Sequence, residues 1–165
     1  MARKQDLDAT HILAKDHRKV EELFTKFENA SDIMRKRDIA NQICTELTIH
    51  AMIEEEIFYP GIKGKIEEGL LREAYVEHDS AKMLIQEIID GSPDEDYYEA
   101  KVTVLKEQIE HHVKEEEKER GNMFQQARAA DVDLEALGEK MVARKKELKA
   151  QADNGGLPPA KPHTR

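Results

Sequence analysis

Four histidines and two glutamates stand where such side chains are usually absent, on the apolar faces of helical segments. On a wheel turning about 100° per residue, His17 falls among Leu13, Val20, Phe24 and Phe27. His50 and Glu54 fall among Ile39, Ile43, Leu47 and Ile57, and His78 lies between Leu71, Ala74, Tyr75 and Ile85. His112 and Glu116 share the stripe of Val102, Leu105, Ile109 and Met123. One His on an apolar stripe is commonly a half-buried core residue. A carboxylate there must be paired, or it shifts its pKa and neutralises. Six such residues on four stripes suggest a bound cation. Imidazoles and carboxylates suit a borderline divalent ion, iron first, with zinc or manganese behind.

The spacing has a physical reason. Residues i and i+4 project from one helix face, so His50 with Glu54, and His112 with Glu116, can each serve one centre. A carboxylate from each of two helices can also bridge two ions, one oxygen to each, which favours a dinuclear site. A second i, i+4 pair, His111 and Glu115, stands beside the first, about 100° away, and remains an alternative. His11 points away from its stripe, and His163 is near the end of the chain. The remaining acids of the two clusters, Glu55, Glu56, Glu115 and Glu117, read as solvated.

The elements that must position these residues follow from periodicity and caps. Helical patterns run from about Asp8 to Asn29, Asp32 to Phe58, Leu70 to Asp90, and Ser92 to Arg120, with a fifth from about Asp133 to Ala150. Leu71, Tyr75, Ile85 and Ile89 form the third stripe. Ser92-Pro93-Asp94-Glu95 has the form of a capping box with Pro at the first helical position. Tyr59-Pro60-Gly61 should bend or end the second helix, and Gly121-Asn122 should interrupt the fourth. The fold class is all-α: an antiparallel up-down four-helix bundle with an additional C-terminal helix. One domain over 1–152 is expected, with 153–165, rich in Gly and Pro, as a flexible tail.

Composition excludes several classes. The chain has 165 residues, 26 Lys+Arg and 35 Asp+Glu, a formal charge of −9. It lacks a basic patch for phosphate backbones, so nucleic acid is not an expected partner. The lone cysteine, Cys44, excludes a disulfide framework. Neither a membrane-length apolar run nor a secretion signal is visible, so a cytoplasmic location and no membrane partner are expected. Glu-x-x-His di-iron motifs are missing too: Leu47, Tyr75, Gln108 and Ile109 stand three residues before His50, His78, His111 and His112.

The segments DATHILAKDHRKVEELF, ICTELTIHAMIEEEIFYP, VEHDSAKMLI and KVTVLKEQIEHHVKEEE together resemble the hemerythrin family, specifically bacterial hemerythrin-like proteins with the HHE cation-binding domain, over roughly residues 6–150. The resemblance implies two non-haem iron ions joined by an oxo or hydroxo bridge. It implies His17, His50, Glu54, His78, His112 and Glu116 as ligands, with the two glutamates as bridges. Oxygen carriers of the family have a second His one turn before the third-helix ligand; here that position is Ala74. Water, Tyr75 or a carboxylate such as Glu55 or Glu77 would then fill the place, which shifts the expectation from O2 carriage towards sensing or redox work. The implied functions are binding or sensing of O2, NO or peroxide; a peroxide-reducing, catalase- or peroxidase-like enzyme; or iron storage and iron-centre repair.

Overall fold

The computed structural model describes residues 4–165. Helix α1 (Ala9–Asn29) begins at Asp8, whose carboxylate accepts from the Thr10 and His11 N–H groups. Asp32 caps α2 (Ile33–Ile53) in the same way through the Arg35 N–H. The chain continues without a break into a π-helical turn, Glu54–Phe58, and one more turn, α3 (Tyr59–Ile62). Pro60 sits in the first turn of α3, where a missing N–H is tolerated. Helix α4 (Glu68–Asp90) stops at Gly91, which donates its N–H back to the Ile88 carbonyl.

The next helix begins later than the capping signal suggests. Ser92–Glu95 closes a turn through the Glu95 N–H and Ser92 carbonyl, 2.9 Å apart, and the Ser92 hydroxyl bonds to Asp94 instead of capping. Ser-Pro-Asp suits a β-turn as well as a helix start. Helix α5 spans Tyr98–Val113 and passes into a second π-helical turn, Lys114–Lys118. The break expected at Gly121-Asn122 is present: Gly121 has φ +73°, and Asn122 caps α6 (Met123–Ala129) through the Gln125 N–H. Asp133 caps α7 (Leu134–Asp153).

Helices α1, α2, α4 and α5, with their π turns, form the up-down bundle, and α7 packs across α1 and α2 as the additional C-terminal helix. No strand occurs among the described residues. The core has two parts. One gathers Leu13, Ile53, Phe58, Tyr59, Phe124 and Met141; the other gathers Val20, Phe24, Ile43, Leu47, Ile85 and Leu105. On α4 the inward residue of the last turn is Ile88; Ile89, placed on the stripe by sequence, is 48% exposed. Residues 154–165 form no helix but are held against the bundle. Asp79 accepts from the His163 and Thr164 N–H groups, both at 2.8 Å, and Lys82 Nζ donates to the Lys161 carbonyl at 3.0 Å.

Helix α7 approaches the N-terminal segment most closely at Gly138, where an added Cβ would lie 1.5 Å from the Leu7 carbonyl oxygen. That atom belongs to backbone and cannot turn aside. Gly138→Ala should therefore lower stability by about 2–3 kcal/mol, the upper part of the overpacking range. The urea midpoint would show it; an unchanged midpoint would mean that α7 does not dock there.

Candidate metal centre

His17, His50, Glu54, His78, His112 and Glu116 form one buried polar layer between the two halves of the core. Glu54 and Glu116 have no exposed surface. His50 Nε2 lies 2.9 Å and His78 Nε2 3.3 Å from Glu54 Oε1. His112 Nε2 lies 2.6 Å from Glu116 Oε1, and His17 Nε2 3.4 Å from Glu116 Oε2. The donor atoms fall into two groups that share Glu116: Glu54, His78, His112 and Glu116; and His17, His50 and Glu116. Within each, all donor atoms lie within 4.8 Å of one another.

Each imidazole is oriented from behind. Its Nδ1 faces a second carboxylate: His17 with Glu117 at 2.9 Å, His50 with Asp16 at 3.1 Å, His78 with Glu55 at 2.9 Å and His112 with Glu77 at 3.0 Å. A proton held at Nδ1 leaves the Nε2 lone pair directed inward, the arrangement that metal-binding histidines use. Cations close the circuit outside: Lys145 and Arg18 bond to Asp16 and Glu117, and Lys82 Nζ lies 2.9 Å from Glu55.

Both glutamate clusters lie in the π turns, and this corrects their reading as solvated faces. In a regular helix Glu55 would point about 140° away from His50, and Glu117 as far from His112. A π turn widens the spiral by one residue, so adjacent glutamates can both face inward. Glu54 and Glu116 then enter the layer, while Glu55 and Glu117, 13% and 12% exposed at their side chains, reach the outer imidazole nitrogens. Glu115 is also largely covered, whereas Glu56 stays outside and pairs with Arg144 at 2.8 Å.

Fit to a cation can be judged from the orphaned atoms. His17 Nε2, His50 Nε2, both Glu54 oxygens and Glu116 Oε2 are buried without a hydrogen-bond partner. Several are close together yet not aligned for hydrogen bonding, as expected of lone pairs aimed at a common point. Without metal the layer is charged in another way. Burial disfavours the His50 cation, but the nearby charge of Glu54 and the bond to the Asp16 carboxylate outweigh it and raise its pKa to about 10. His17, His78 and His112 are raised too, by the carboxylates that face them. Glu54 is held well below the usual range: burial raises it, but the charge of His50 and the closeness of three imidazoles prevail. The burial argument alone would make these glutamates reluctant to ionise without metal. The surrounding imidazoles reverse that, because they take the protons instead.

Tyr59, which sequence reasoning did not single out, enters the same layer. Its hydroxyl donates to Glu116 Oε1 at 2.5 Å and lies 3.2 Å from His78 Nε2 and 3.3 Å from His112 Nε2. Ala74 is buried in the same packed cluster. The substitutes suggested for a ligand at that position lie elsewhere: Glu55 and Glu77 are engaged on Nδ1 atoms, and Tyr75 packs edge-on to Tyr59 with centroids 5.2 Å apart. His111 is 63% exposed and forms a separate surface group with Glu77 and Glu115, so His112 is the buried member of the pair. His11 is exposed. His163 stacks on Tyr75 at 4.0 Å, outside the layer. Burial pushes the Cys44 thiol up to about 12, which leaves it unreactive.

Comparison with known proteins agrees with this fold. A solved hemerythrin HHE cation-binding domain-containing protein from Mycobacterium kansasii superposes with a TM-score of 0.75 at 25% identity, covering 89% of this chain and 90% of that one. A protein named DNA nickase from Nostoc sp. (strain PCC 7120) is 33% identical over 114 residues, 69% of this chain. The present chain spans about a third of that relative's length, 32%. Among the described residues no helix is long and apolar enough to cross a membrane. The hemerythrin HHE cation-binding domain model matches residues 8–124, from the cap of α1 through both π turns to the start of α6, and the chain belongs to that family.

Proposed function

We propose that this chain is a non-haem di-iron protein that binds or reacts with O2, NO or peroxide inside the bundle. The observation that carries this is the pair of buried donor groups sharing Glu116, with five donor atoms that have no hydrogen-bond partner. His17 and His50 would hold one ion and His78 and His112 the other, with Glu54 and Glu116 between them. Two carboxylates leave two divalent ions partly uncompensated, and the four carboxylates on the Nδ1 atoms surround that remaining charge. Iron bound there would supply a redox couple and a position open to a small diatomic molecule or peroxide. The chain's own residues do the rest. Phe124 stacks on His17 at a centroid distance of 6.0 Å, and Phe58 packs edge-on to Phe124, so this side of the layer is kept from water. The net charge of −9 opposes a phosphate backbone, and the activity named for the Nostoc relative is not part of this reading.

One observation favours a second reading, peroxide turnover. The Tyr59 phenol is buried, bonded to Glu116, and holds its proton firmly because burial and the charges of Glu116 and Glu54 disfavour the phenolate. Peroxide disproportionation moves protons between oxygens, and Tyr59 is a group within the site able to hold one.

Elemental analysis of protein made with iron supplied should find two irons per chain; one or none would remove the dinuclear reading. Gas evolution from hydrogen peroxide should fall by roughly a hundredfold in Tyr59→Phe, the lower end of the range for a proton-transfer group. Equal rates with equal iron content would leave only the binding function. The pH dependence separates the two charge states of the layer. His50 has a raised pKa in the metal-free fold, so its ion pairs stabilise fully below the unfolded value near 6.5. That contribution disappears as pH climbs through about 10. The melting temperature of metal-free protein should therefore fall across this interval. Metal binding displaces protons, so metal affinity should rise with pH until the imidazoles are neutral. Parallel thermal profiles with and without metal would contradict the assignment.

A further inference from the structure

A cavity of about 490 Å³ lies beside the layer, under the C-terminal segment. The four imidazoles of His17, His50, His78 and His112 form its inner end. Its walls are mostly aliphatic, from Val20, Leu47, Ala51, Ile85, Ile109 and Val113. Pro158, Pro159 and Ala160 close it on the outside. Dioxygen or peroxide occupies roughly the space of one or two waters, at about 30 Å³ each. This cavity is an order of magnitude larger, within the ~300–1,000 Å³ range of sites for small organic molecules. A bundle built only to admit a diatomic gas has no use for so much apolar space, because protein interiors otherwise pack densely.

The charged side chains on its inner walls are already committed, while Lys161, on the outer wall, is exposed to solvent. Asp16 bonds to His50 and Lys145, and Glu56 to Arg144. Lys82 Nζ is shared among Glu55 at 2.9 Å, Asp79 at 3.3 Å and the Lys161 carbonyl at 3.0 Å. None of these is left to hold an ionic head group. The outer wall is built differently from the rest. It follows Gly155 and Gly156, at φ +129° and +93°, which give the chain a pivot after α7. It has no internal helix, and it is fastened at its far end to buried Asp79 by the His163 and Thr164 N–H groups and the Thr164 hydroxyl. Asp79 is the anchor with the most bonds to the wall, and the Lys82 bond to the Lys161 carbonyl and the His163 stack on Tyr75 hold it beside that; all are side-chain fastenings on the bundle side, so loosening them leaves the bundle helices intact.

We propose that this cavity binds an uncharged, mainly aliphatic organic molecule that presents one oxygen-bearing end to the histidine layer, with residues 157–165 as its movable wall. The proposal rests on the metal-centre reading only for what that end meets; the aliphatic site stands on the cavity itself.

The probe is 1-octanol, with octanoate as its charged counterpart, titrated into full-length protein in metal-free and zinc-loaded forms. Zinc is diamagnetic, so NMR can detect proton contacts between the octanol chain and the Ile85 and Ile109 methyls. Saturable binding with those contacts is expected, at least about tenfold tighter than octanoate, a difference set by the cost of burying an unpaired charge. Ala51→Phe should fill the cavity and weaken octanol by about tenfold or more, with zinc content unchanged. Asp79→Ala, which removes the acceptor of both N–H groups and of the Thr164 hydroxyl, should speed octanol association by loosening the wall. Absent methyl contacts in the native protein, or equal affinity in Ala51→Phe, would overturn the proposal, and the NMR contacts decide the case should that variant fail to fold. Failure to load metal would overturn the metal reading instead, while octanol contacts in the metal-free form would still stand.

Discussion

Everything in this bundle is arranged around two carboxylates that no solvent reaches, Glu54 and Glu116. A buried, uncompensated carboxylate is among the most costly groups a fold can contain. Compensation here proceeds outward in shells. Imidazoles from four helices meet the carboxylates, a second set of carboxylates meets the imidazoles, and two lysines and an arginine meet three of those. Such a chain of pairs is coherent with a cation at its centre and with protons in the cation's place. In the first case the imidazoles are neutral and donate lone pairs; in the second they are cations. One set of side chains can thus hold the bundle together in both states, with different responses to pH. The additional helix takes part in this, since α7 brings Lys145 to Asp16 and so supports His50 from outside the four-helix core.

The π turns are the local solution to a geometric conflict. An α-helix sends adjacent residues about 100° apart, yet the layer needs Glu54 facing the centre and Glu55 on His78, and again Glu116 inward and Glu117 on His17. One extra residue per turn, in the same place on two helices, meets both needs. The backbone loses regular α-helical bonding at those turns, and the interactions of four glutamates stand against that loss.

The four long helices and the six inward residues were legible because each depends on local spacing. The π turns were not, and their consequences were lost with them. On a regular wheel Tyr59 stands about 180° from His50, on the far side of the helix. The inserted residue rotates it back toward the layer. A tyrosine directly after a His-x-x-x-Glu-Glu-Glu-x-x run was the available signal, but regular periodicity argued against it. The start of α5 was missed for a different reason. Ser-Pro-Asp-Glu is compatible with a cap and with a turn, and only the tertiary position of Tyr98, buried against Phe27 at a centroid distance of 6.4 Å, decides between them.

The net charge of −9 also takes on a different meaning. Read as surface charge, it would make the molecule uniformly repulsive to anions. Glu54 and Glu116 lie wholly inside, and Asp16, Glu55 and Glu117 are largely covered and bonded to imidazoles. A substantial share of the acidic excess therefore belongs to the polar layer, where it balances protons or metal rather than facing solvent. The same redistribution explains how a chain with 37% charged residues and only 39% apolar ones can form a packed interior. Part of its charge serves as core, and that core is polar, ordered and paired.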